Sequence, residues 1–224
     1  MRTDPEDRSA HMGPELDALL ASAQREVIAV SPYFIPGQQG MALLRSLRER
    51  GVSVTVVTNS LAATDVPAAH SGYMRYRREL LASGIDLYEI RPSPTLSAQR
   101  RPRLGSSQAS LHAKTVVIDG EKLVVGSMNM DPRSDQLNTE LGVVIDSRDL
   151  ARTVQDWRRT GLPKQAWRVR IAADGGAHTR SSKLQWIVGE PGRVVIHSGS
   201  EPEASWWRRF VSGFVALLPI EKQL

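Results

Sequence analysis

Residues 41–58, MALLRSLRERGVSVTVVT, carry the change of pattern on which the fold turns. The first ten read as a helix that closes at Gly51, because glycine takes the left-handed backbone of a helix end without steric cost. The next seven, 52–58, are rich in β-branched residues and read as a buried strand. Working outward, 27–30 is a short apolar strand stopped by Ser31-Pro32. Before it, 15–24 is helical, with Leu16, Leu19 and Leu20 on one face. On the other side, 73–82 is a basic helix closing near Gly84, and 85–90 is a third strand. Strands alternating with helices at this spacing predict an α/β unit around a parallel sheet.

Residues 91–110 break the pattern with Pro, Ser and arginines, including Arg100, Arg101 and Arg103, and read as a long loop. The run 111–118, then Asp119-Gly120, then 123–125 predicts a β-hairpin, because Asp-Gly suits a tight turn with positive φ. Another strand is expected at 137–145 and a helix at 150–159. After Gly161 come short strand candidates at 167–171, 184–188 and 194–196, then a helix at 204–218. The expected organisation is a tail or linker over 1–14, a catalytic-type domain over 15–162, and an extension over 163–224. The extension holds short strands and an amphipathic helix.

The chain has 224 residues, 41% hydrophobic and 24% charged, which suits a globular domain. Its net charge of +5 favours anionic partners, phospholipid headgroups or nucleic acid, without choosing between them. With no cysteine, disulfides and thiolate metal sites are excluded. Residues 1–14 lack the apolar core of a secretory signal. No apolar run approaches the ~18 residues of a spanning helix. The expectation is a soluble or peripheral protein, cytoplasmic or at the inner face of a bacterial membrane.

The hairpin carries the chemistry. On a strand, His112 and Lys114 would share a face, standing an imidazole beside an ammonium. That juxtaposition is unfavourable unless an anion such as phosphate joins them. Ser127 and Asn129 are again two apart and could donate hydrogen bonds to phosphate oxygens. Glu140, within an apolar strand, needs a partner, and His112 is the natural one: a carboxylate on one ring nitrogen fixes the tautomer. Tyr33 and Phe34 follow a strand and precede Pro36-Gly37, where they could line a substrate pocket or pack a loop.

The run His112-x-Lys114-x4-Asp119, followed by Gly126-Ser127-x-Asn129 and Glu140, resembles the HKD motif of the phospholipase D superfamily. Residues 31–37, 58–65, 129–134 and the tail from Glu201 are similar to the C-terminal half of bacterial cardiolipin synthase-type members. The resemblance implies a mixed β-sheet flanked by helices, one half of the usual two-repeat sandwich. It implies phosphodiester transfer on phospholipids through a phosphohistidine, without metal or other cofactor. His112 would act as nucleophile or general acid and Lys114 would bind phosphate. Asp119 joins the motif either catalytically or by holding the hairpin turn. Family members commonly carry two such motifs, and this chain has one. The second half-site would come from a homodimer mate or an N-terminal partner half. Two alternatives stand beside this: a single-motif nuclease acting as a homodimer on nucleic acid, and a non-catalytic half binding anionic lipid or a partner chain.

The final helix also divides two readings. Trp206, Phe210 and Phe214 at i, i+4 and i+8 suit packing on the chain's own domain, the favoured expectation. Aromatics beside arginines suit a peripheral membrane contact.

Overall fold

A computed structural model describes residues 1–4, 11–92, 110–172, 183–190 and 193–216. The expected loop at 91–110, with Arg100, Arg101 and Arg103, falls largely outside the described residues. So does the end of the expected final helix.

Ten strands among the described residues form one mixed sheet, in the order β1-β7-β6-β5-β2-β3-β4-β8-β9-β10. Its centre is the predicted unit: β2 (Glu26–Val30), α2 (Gly37–Glu49), β3 (Ser53–Asn59), α3 (Pro67–Ala82) and β4 (Asp86–Ile90). β2, β3 and β4 run parallel. β2 and the middle of β3 read as apolar and β-branched runs because both faces are covered. On β2, Val27 and Ala29 face a core shared with α1 (Met12–Ala21), α2 and α3. Ile28 and Val30 face a second core with Ala151 of α5 (Arg148–Asp156) and Leu162 of α6 (Leu162–Gln165). Each fully buried apolar side chain of this kind contributes roughly 1.5–3 kcal/mol. The mixed sheet flanked by helices is the expected architecture.

The hairpin β5 (Thr115–Ile118) and β6 (Lys122–Gly126) turns at Asp119-Gly120, with φ of 56° and 66°, as the Asp-Gly pair predicts. β5 begins at Thr115, so His112 and Lys114 precede the strand rather than lying on it. The ladder ends because β5 pairs with β2 only as far as Val30, after which Ser31-Pro32 turns β2's chain away. β7 is Glu140–Asp146, which places Glu140 at a strand start rather than inside one.

The edges differ from expectation. Residues 1–14 were expected to be a tail, yet β1 (Arg2–Thr3) pairs with β7 and α1 starts at Met12. The open edge of β7 supplies the reason: Met1 N donates to Gly142 O at 3.1 Å, and Thr3 Oγ1 accepts from Met12 N at 3.0 Å. At the other edge, β8 (Ala166–Ile171), β9 (Leu184–Glu190) and β10 (Arg193–Ser198) extend the same sheet, across the boundary expected at 162.

A buried ionic cluster ties this edge to the centre. Arg77 of α3 meets Glu89 of β4 at 3.1 Å and Glu201 at 2.7 Å. Trp186 of β9 and Tyr73 each donate to Glu89 at 2.8 Å.

The final helix, α7 (Trp206–Val215), does not pack its aromatic stripe on the domain. Trp206, Trp207, Phe210 and Phe214 are 57–75% exposed, because the opposite face makes the contacts.

Candidate active site

The candidate site lies beyond the carboxyl ends of β2 and β3, where ligands gather on parallel sheets. Residues 110–114 run there because β5 is antiparallel to β2. Asn59, last residue of β3, clamps this segment with both ends of its amide. It donates to Leu111 O at 3.1 Å and accepts from Leu111 N at 2.9 Å. The buried Asn59 therefore fixes the backbone immediately before His112. The His112 side chain is exposed, and no hydrogen bond engages its ring among the described residues.

Lys114 is partly buried, its carbonyl accepting from Gly126 N at 3.2 Å. Its ammonium donates to His112 O at 3.0 Å. Burial pulls its pKa down, and the nearby carboxylates of Glu140, Asp65 and Asp131 pull it back up. Among the described residues none of these carboxylates comes within ion-pair distance of the ammonium. Donor capacity on Lys114 is thus open toward solvent and an incoming anion.

Gly126 permits the crossing beneath: a Cβ there would sit 2.5 Å from Leu141 O. Ser127 follows, donating from Oγ to Glu140 and accepting from Leu141 N at 3.0 Å. Asn138 donates to the other Glu140 oxygen at 3.2 Å. Glu140 is therefore engaged by Ser127 and Asn138, not by His112 as expected. The correction follows from His112 lying off the ladder, while Ser127 sits directly beside the start of β7. Asn129 donates to Ser134 Oγ at 3.3 Å, and its Oδ1 is buried without a partner among the described residues.

Asp119 is not part of this group. It sits at the far end of β5, where its carboxylate accepts from the backbone amides of Gln24, Arg25 and Glu26 at 2.7–3.1 Å. Those bonds hold its pKa below the ordinary value against a burial effect that raises it. Of the two expected readings of Asp119, these contacts fit the one that holds the hairpin turn and not the catalytic one.

Tyr33 donates its hydroxyl at 2.7 Å to Asp65, one of the carboxylates that act on Lys114. Burial and Asp65 both push its pKa up. Phe34 is buried and bridges to Met130. It walls a cleft of about 320 Å³ with Leu16, Leu44, Met128, Met130 and Asp131. His112 and Lys114 do not line that cleft, so it adjoins the chemistry rather than containing it.

Several participants escaped the sequence reading: Asn59, Asp65 and the cap of α4 (Pro132–Gln136). Asp131 caps α4, accepting from Ser134 N at 2.7 Å, and burial pushes its pKa up to about 6. An Asp-Pro pair opening a helix was a readable signal for this element.

The sequence profile of the cardiolipin synthase, PLD-like domain matches residues 16–159. The chain belongs to this family. Cardiolipin synthase C of Escherichia coli K12 is 37% identical over 205 residues, 91% of this chain and 42% of that protein. An uncharacterised Helicobacter pylori protein is 31% identical over 92% of this chain and 38% of its own length. The chain thus spans about two fifths of these relatives. Among solved structures, the phospholipase D family member Nuc of Salmonella typhimurium superposes with TM-score 0.54 at 20% identity. That match covers 70% of this chain and 90% of Nuc. Phosphatidylserine synthase of Haemophilus influenzae gives 0.54 at 15% identity, covering 72% of this chain and 37% of its own. These likenesses place the mixed sheet in the phospholipase D fold.

Proposed function

We propose that this chain supplies one half of a phosphodiester-transfer site acting on phospholipids. The reading rests most on one observation: His112 exposes an imidazole with no ring hydrogen bond among the described residues, and its carbonyl accepts from the partly buried ammonium of Lys114, which has no ion-pair partner among them. Family membership and 37% identity to a cardiolipin synthase support it.

In this reading Lys114 and Asn129 hold the phosphoryl oxygens. A nitrogen of His112 forms a bond to phosphorus as the bond to the leaving alcohol breaks. A second histidine, on a homodimer mate or an N-terminal partner half, gives that alcohol its proton. The same histidine then takes the proton of an incoming hydroxyl, whose oxygen displaces His112 from phosphorus. A lipid hydroxyl yields transfer and water yields hydrolysis. Glu140 acts one step back, orienting Ser127 and favouring the charged form of Lys114. Exposed Leu137, Leu141, Val143 and Val125 beside the site are available to the partner half.

A nuclease reading remains as the second: the net charge of +5 suits nucleic acid as well as lipid, and the match to Nuc covers 90% of that chain, so the fold is built there without a second repeat of this length. Incubating the chain with phosphatidylglycerol and with plasmid, both in EDTA, separates the two. Consumption of lipid that disappears in His112→Ala supports the proposal. Consumption of plasmid alone replaces it with the nuclease. Lipid turnover unchanged by His112→Ala rejects both.

A further inference from the structure

The helix α7 is docked with its polarity reversed. At about 100° per residue, Trp206, Trp207, Phe210 and Phe214 fall within an arc of about 100°. Their exposures are 75%, 57%, 59% and 58%. The opposite face faces the protein. Arg208 donates to Leu61 O at 2.9 Å and Thr64 O at 2.7 Å. Arg209 donates to Glu201 O at 2.8 Å, and buried Ser212 donates to Met74 Sδ at 3.3 Å. Arg75 closes the far end on Ala216 O at 2.6 Å, while Ser205 caps the near end. Rolling the aromatics inward would break the bonds made by Arg208, Arg209 and Ser212, so their exposure is built into the docking. The rings are ordered among themselves, Trp207 stacking on Phe210 and meeting Trp206 edge-on, each pair at 5.7 Å.

Charge selects what covers this face. Arg208 and Arg209 are held by neutral carbonyls, and among the described residues no carboxylate pairs with either. The segment Trp206–Val215 itself contains no acid. Arg208 is turned into the protein, but Arg209 is exposed and lies about 60° from the edge of the arc, so an unneutralised cation flanks exposed tryptophans, the composition of a helix lying in a lipid headgroup region. Position agrees. Arg208 grips the loop that leads directly to Asp65, the acceptor of the Tyr33 hydroxyl at the candidate site.

We infer that the aromatic face of α7 seats the protein on the surface of an anionic bilayer, next to the mouth of the site. The idea that lipid then enters the site rests on the proposed function, but the surface seat does not. The test is sedimentation of the full chain with vesicles of phosphatidylglycerol and of phosphatidylcholine, comparing Trp206→Ser/Phe210→Ser/Phe214→Ser with the parent. The parent should bind phosphatidylglycerol vesicles more tightly. Each lost aromatic should weaken partitioning about tenfold or more. Thermal melting should be nearly unchanged, since these side chains are exposed in the free chain. Equal binding by the triple variant, or no binding by the parent, overturns the inference. So does a triple variant that loses only self-association, which would assign the face to a second copy. His112→Ala should leave vesicle binding intact, and the triple variant should leave turnover of a water-soluble phosphodiester intact. Either reading can therefore fail without the other.

Discussion

Asp131→Asn should stabilise the protein, and only above mildly acidic pH. Asp131 is 6% exposed and caps α4 through Ser134 N. Burial is the largest influence on its carboxyl and pushes the pKa from 3.8 up to about 6, with Glu140 adding repulsion. A folded pKa above the unfolded one means that the folded state binds the proton more tightly. The associated stability is complete below about pH 4 and is lost as pH rises through about 6. Roughly two pH units at about 1.4 kcal/mol each set a ceiling of about 3 kcal/mol. Asparagine caps helices as well as aspartate does, so the substitution removes the buried charge and keeps the hydrogen bond. Paired thermal melts from pH 4 to pH 8 provide the assay. The two proteins should melt together near pH 4. The variant should pull ahead through pH 6 and level off at a gain of about 2–4 °C per kcal/mol. A variant no more stable than the parent at pH 8, or a gap independent of pH, refutes the reasoning.

Asp119→Ala should cost about 2 kcal/mol by freeing three backbone amides, measured by denaturant unfolding. Its lowered pKa gives the opposite pH sign, with stability present at neutral pH and lost on acidification. Arg77→Met should cost about 3–5 kcal/mol, because it strands Glu89 and Glu201 as buried charges. The same assay measures it, and a cost below about 1 kcal/mol would mean that the cluster is solvated. Lys114→Met should abolish lipid turnover while melting close to the parent, since its ammonium makes one hydrogen bond among the described residues.

The parallel centre was legible because strands covered on both faces are dominated by apolar and β-branched residues, as 52–58 is. The Asp119-Gly120 turn was legible because its backbone geometry restricts residue choice. His112 and Lys114 were read onto a strand, and that placement failed: the ladder ends where Ser31-Pro32 turns β2's chain away from β5, and that pairing spans distant sequence. Asn59 was unreadable as a clamp for the same reason, its partner Leu111 being 52 residues away. The helix α7 shows the limit of periodicity. Its apolar arc was plain, but which face docks was decided by carbonyls at Leu61 and Thr64.

Bis(4-nitrophenyl) phosphate tests the nucleophile without a partner half, because its leaving group departs without an acid. After brief reaction and alkaline quench, peptide mass spectrometry should find the aryl phosphoryl group on His112. Nitrophenol release should vanish in His112→Ala. An adduct on another residue, or release undiminished in that variant, would contradict a phosphoryl group carried by His112.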